Sequence, residues 1–167
     1  MKEYFPFIFI IHSIKYYCIW YSNERDGFIT ESNKIRYFDN MENLFTYATS
    51  NNIKIEERKT ILSIDKALTW LQQNKKEIDC TYFLDYWNII SDLANSLDTK
   101  FYGNQDNNII NLIYDKLFYG NNLTALKHDG ETFTPDWTAE EVNELIEVIK
   151  DGIRVVGFQF EAMSVNL

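Results

Sequence analysis

A chain of 167 residues has the length of one domain, enough to bury a real hydrophobic core. Hydrophobic residues make up 46% and aromatics 16%, which excludes disorder as the overall state, and Gly and Pro are too scarce for long irregular loops. The formal net charge of -9 is unevenly placed: residues 1–76 carry 9 acids against 11 bases, and residues 77–167 carry 16 against 5. Such a second half repels nucleic acid, whose binding depends on Lys and Arg at phosphates, and attracts basic proteins. Acidity also serves solubility alone, so charge by itself names no partner.

The first element is FIFIIHSIKYYCIWY, rich in branched and aromatic residues, with Ile8, Ile10, Ile14, Tyr16, Cys18 and Trp20 on one face by period two. Its apolar run from Phe5 to Ile11 is too short to span a bilayer and lacks a small-residue cleavage site, so it reads as a buried strand. SNERDG supplies turn chemistry, and FITE and KIRYF follow as returning strands, giving an N-terminal hairpin or meander. Cys18 and Cys80 stand far apart without a C-x-x-C pattern, and reduced thiols in a cytosolic protein are the expectation.

Asp39 is then placed to cap a helix running to Ser50, with Met41, Leu44, Phe45 and Ala48 as its apolar stripe, and IKI at 53–55 reads as a short strand. A second helix spans Ser63 to Gln73, burying Ile64, Ala67, Leu68 and Leu71, with Trp70 on the flank. Thr81 caps a third, in which Phe83, Tyr86, Trp87, Ile90, Ala94 and Leu97 recur at helical spacing. After the polar DTKFYGNQDNN comes a fourth helix, IINLIYDKLFYG, with Gly120 or Asn121 as a left-handed stop, then a loop from Leu123 to Asp136. In WTAEEVNELIEVIKDGI, Thr138 and Glu141 make a capping box, Val142, Leu145, Ile146 and Ile149 the buried stripe, and Gly152 the stop. IRVVGFQF, residues 153–160, reads as a closing strand. The expected fold is α+β: one domain over 1–167, with the N-terminal hairpin or meander and the C-terminal strand in one sheet against about five helices.

Catalytic signatures are absent from this pattern. His12 and His128 have no second His at ligand spacing, so no metal and no cofactor is expected. Neither a nucleophile elbow nor a Gly-rich phosphate loop occurs. Asp85 and Asp92 lie seven positions apart on the third helix, roughly 10 Å along its axis, which is too far to share a proton, and they read as solvent-facing acids. Trp20 and Trp87 fall on apolar faces, while Trp137 precedes a cap and can staple the helix start.

The last helix carries Glu140, Glu144, Glu147 and Asp151 along one stripe, opposite its aliphatic face. Three like-charge pairs cost on the order of 0.2–0.5 kcal/mol each, against about 6 kcal/mol for burying four aliphatic side chains. The helix tolerates the stripe, which is either a solvated face or a surface for a basic partner.

The passages DNMENLFTYATSNNIKI, IDKALTWLQQN, LIYDKLFYGNNLTAL and FTPDWTAEEVNELIEVIKDGIRVV, in that order, resemble the immunity proteins of bacterial contact-dependent growth inhibition and related polymorphic toxin systems. The resemblance implies a non-enzymatic cytoplasmic protein that binds the C-terminal toxin domain of a delivered effector, often a nuclease such as a tRNase, and occludes its basic active site. It carries over no functional residue. The candidate partner surface, Glu140, Glu144, Glu147 and Asp151, rests on charge geometry alone, with a monomer as the expected state and neither nucleic acid nor membrane as a direct partner. The other readings are an adaptor or regulatory module for another basic protein, and an enzyme using scattered carboxylates.

Overall fold

In a computed structural model, which describes residues 2–122 and 132–160, the aromatic N-terminal run is two strands: β1 (Glu3–Ile11) and β2 (Ile14–Ser22). They pair antiparallel with Ile11 opposite Ile14, so His12 and Ser13 alone make the turn. Both have positive φ, 47° and 63°, the geometry that matches the right-handed twist of the flanking strands. Neither residue favours it, at about 1–2 kcal/mol each. The compensation is tertiary: the Asp65 carboxylate accepts the His12 N–H at 2.6 Å and the Ser13 N–H at 2.8 Å. Two hydrogen bonds to a charged group, about 1.5–3 kcal/mol each, match or exceed the turn's strain.

This turn corrects the expected single face from Ile8 to Trp20. A two-residue reversal places Phe7 opposite Cys18 and Phe9 opposite Tyr16, while Ile8 lies opposite Tyr17 on the other side. One face therefore carries Phe7, Phe9, Ile11, Tyr16 and Cys18, all buried in the main core. Both cysteines are buried and unbridged, and burial pushes the Cys18 thiol well up, consistent with an inert packing residue.

FITE and KIRYF each split. β3 (Gly27–Phe28) and β6 (Tyr37–Phe38) pair with β2, while β4 (Thr30–Glu31) and β5 (Lys34–Ile35) form a separate small hairpin. The sheet order is β3-β2-β1-β7. β7 (Thr60–Ser63) lies parallel to β1, and the IKI segment contributes only a bridge from Ile55 to Tyr4.

Five helices follow the expected order. α1 (Met41–Ser50) starts at Asn40, whose side chain accepts the Asn43 N–H, so Asn40 rather than Asp39 is the cap. α1 covers the second face of the sheet, packing Leu44 and Ala48 against Ile19 and Phe38, and its Phe45 stays exposed. α2 (Ile64–Gln72) begins directly from β7, with Ser63 ending the strand and capping the helix. Trp70 is buried there, not flanking, and its indole N–H donates to the Glu77 carbonyl at 2.9 Å. α3 (Cys80–Ser96) is capped by Asp79, whose carboxylate also receives Lys66, rather than by Thr81. α4 (Asn108–Gly120) is capped by Asn107, and the left-handed residue after it is Asn122, not Gly120 or Asn121. Residues 132–138 have no regular structure, and the rest of the expected loop, with His128, lies outside the described residues.

The largest departure is at the C-terminal end. α5 (Ala139–Gly157) runs through Gly152, so residues 153–157 are helical and the expected closing strand is not formed. Leu145, Val148, Ile149, Gly152, Val155 and Val156 continue one buried helical face. Gly152 is there for space: a Cβ would stand 2.5 Å from the Tyr86 hydroxyl, which donates to the Ile149 carbonyl at 2.9 Å. The chain beyond α5 still reaches the sheet, through side chains. Phe160 packs on Tyr16 and Phe9 at ring separations of 4.6 and 5.5 Å, and Gln159 accepts the Ile35 N–H. The outcome is the expected α+β fold, with β7 as the strand beside the N-terminal hairpin.

Asp65→Ala is expected to lower stability by about 2–3 kcal/mol, and the added changes His12→Asn and Ser13→Gly to recover at least half, read from denaturant midpoints. Gly152→Ala is expected to cost about 1–3 kcal/mol by overpacking, and less in a Tyr86→Phe background, checked by thermal melting of the four variants.

Candidate functional site

The acidic helix is built from its start. Thr138 Oγ1 accepts the Glu141 N–H at 3.2 Å and Glu141 Oε2 accepts the Thr138 N–H at 2.8 Å, the capping box the sequence predicts. Glu141 is only 4% exposed, and its second oxygen takes the Lys116 ammonium at 2.7 Å. Burial alone would raise its carboxyl, but Lys116 and the Thr138 donors outweigh that and hold it below the usual range. Lys116 also donates to the Asp136 carbonyl at 2.7 Å, so one cation ties α4 to the segment leading into α5.

The four stripe residues divide into two kinds. Glu140 and Glu147 are exposed. Glu144 and Asp151 are half-buried beneath a single 3-10 turn, Tyr102–Asn104. Asp151 accepts the Tyr102 N–H at 2.7 Å and Glu144 accepts the Tyr102 hydroxyl at 2.8 Å. Arg154 bonds Asp151 at 2.7 Å and the Lys100 carbonyl at 2.9 Å, and Lys150 pairs with Glu147 at 2.9 Å. The stripe is thus half clamp and half surface, and two neighbouring cations reduce its net charge.

Asp92 is the other group the sequence placed differently from the fold. It is half-buried rather than fully solvent-facing: it accepts the Trp20 indole N–H at 3.0 Å, linking α3 to β2. Burial pushes its carboxyl up to about 6, with a further push from Asp26, against the opposing Trp20 hydrogen bond. It lines an open depression of about 610 Å³ with Tyr21, Arg25, Asp26, Asn95 and Asp98. Asp85 is exposed on the same helix, its carboxyl raised by burial and by Asp79. Another depression, about 650 Å³, lies between α2 and the start of α3, beside Lys66, Trp70 and Asp79.

Trp87 is core, edge-on to Phe101 and Tyr114, and Trp137 is partly buried with Lys116 over its ring at 5.6 Å. His12 uses its backbone N–H in the turn. Among the described residues no three His, Cys, Asp or Glu side chains stand close enough to hold a metal ion, and no helix is long and apolar enough to cross a membrane.

Sequence reasoning missed Asp65 as a turn clamp and Tyr102 as the partner of Glu144 and Asp151. Each depends on a contact between distant positions, and no local pattern announces it.

Asp92 holds its proton to a higher pH folded than unfolded, so its contribution to stability is present below about pH 4 and is lost as pH rises through about 6. Asp92→Asn is expected to remove that slope, gaining on the wild type between pH 4 and 7 in denaturant titrations. No protein-family model matches the chain, and neither curated proteins nor solved structures include a match to it.

Proposed function

We propose that this is an immunity protein, acting in the cytoplasm as a monomer to bind and occlude the basic active site of a cognate toxin domain, most simply a nuclease such as a tRNase. The observation that carries the reading is the placement of charge: residues 77–167 hold 16 acids against 5 bases, in a chain whose helical passages resemble that class. An acidic inhibitor competes with phosphate for a nuclease groove, and its field speeds encounter with a basic protein. It works by binding and needs no cofactor. Glu140 and Glu147 are the members of the α5 stripe offered to a partner, since both are exposed while Glu144 and Asp151 hold Tyr102.

Co-expression with the protein encoded immediately upstream is expected to restore growth and give a one-to-one complex. Absence of both rescue and binding would remove the reading. Capture of a single basic host protein instead would favour an adaptor role. Within the complex, Glu140→Lys with Glu147→Lys is expected to slow association about tenfold at low salt and flatten its salt dependence. Unchanged association kinetics would move the contact surface away from α5.

A further inference from the structure

Two aromatic rings stand exposed at the end of α4 and in the segment before α5, and they meet each other. Tyr119 is 58% exposed and Phe133 49% exposed, and they meet edge to face at 6.5 Å. Asn122, in the left-handed conformation at φ 51°, brackets the pair. Its side-chain oxygen accepts the Phe133 N–H at 2.7 Å, and its side-chain amide donates to the Phe133 carbonyl at 2.9 Å and to the Gly120 carbonyl at 2.8 Å. Leu112, 46% exposed, extends the same stripe of α4 two turns back, with the exposed Asp115 between it and Tyr119.

Among the described residues neither ring belongs to the main core, which α4 joins through Ile110, Ile113 and Leu117. Large rings with only two side-chain torsions lose little entropy when covered, the property of residues that anchor interfaces. The surrounding charge selects the occupant. α4 carries two charged side chains, Asp115 and Lys116, and Lys116 is drawn inward to Glu141 and the Asp136 carbonyl. Among the described residues, Asp115 is therefore the charge α4 presents beside the rings, and the exposed Asp136 follows Phe133 by three positions. A second copy, also at net -9, is repelled, whereas a basic protein is drawn in.

We propose that Tyr119 and Phe133, with Leu112, are the apolar anchor by which the protein docks a basic protein partner, with Asp115 and Asp136 at the rim. This rests on the toxin-binding reading and deepens it by naming the surface. The anchor spans α4 and the segment leading into α5, which Lys116 ties to α4.

The test uses the full chain and the C-terminal domain of the protein encoded immediately upstream, with affinities measured by calorimetry. Tyr119→Ala and Phe133→Ala are each expected to weaken binding about 30-fold or more. Phe158→Ala, at a still more exposed ring (67%), is expected to change it less than about threefold. Melting temperatures near wild type show that the variants fold, as substitution of exposed rings permits. Wild-type binding with unchanged affinity in both ring variants overturns the anchor and leaves the toxin-binding reading standing. A folded wild type that does not bind overturns both. A wild-type dimer in light scattering that Tyr119→Asp dissolves also overturns the proposal, by making the second copy the occupant.

Discussion

The contact between the Asp65 carboxylate and the His12 and Ser13 amides sets the register on which the rest of the molecule is laid. In a hairpin the side-chain period is two, so a shift of one residue sends every core side chain to the opposite face. With the reversal confined to His12 and Ser13, the even-numbered Tyr16 and Cys18 of β2 join the odd-numbered Phe7 and Phe9 of β1. That face is the floor of the main core, with α2 against β1, α3 against β3, and α5 laid over α3. The same carboxylate lies in the first turn of α2, whose positive end it favours. One side chain thus fixes both a turn and a helix start.

Above that floor, helix spacing is governed by a pairing of extremes. Tyr86 is the largest fully buried side chain and Gly152 is the smallest residue available to face it. Their meeting lets α5 approach α3 closely enough for a phenol hydroxyl to bond a helix carbonyl, so a buried polar group is satisfied without water. The Lys116–Glu141 pair performs a comparable task at the other end of α5. Glu141 is buried and Lys116 half-buried, and both charged groups have partners, the condition under which burial of charge is tolerated.

The helices were legible from their period, as in the recurrence of Phe83, Tyr86, Trp87 and Ile90, and α5 also from its cap, Thr138 with Glu141. The misreadings came where one residue supports two local meanings. Gly152 signals a helix stop, and Ile153, Val155 and Val156 favour strands, yet the buried face from Leu145 onward continues through them. β7 is four residues long, and only its last, Ser63, carries a local signal, that of a helix cap, so residues 60–62 offer no strand pattern of their own. The exposure of Glu140 and Glu147 followed from the helical wheel. The engagement of Glu144 and Asp151 did not, because Tyr102 lies 42 and 49 positions away.

The distance between turn and clamp has a consequence for synthesis. His12 and Asp65 are separated by 53 positions, so both strands of the hairpin leave the ribosome well before the carboxylate that secures their reversal. Until then the turn carries its left-handed strain uncompensated, and β1 and β2 present phenylalanines, tyrosines and isoleucines with no helix to cover them. Completion of the hairpin is a long-range event despite its two-residue loop, which raises the effective contact order of what looks like the most local element in the fold. The nascent chain is therefore most exposed to misassociation while the sequence between β2 and α2 is being made.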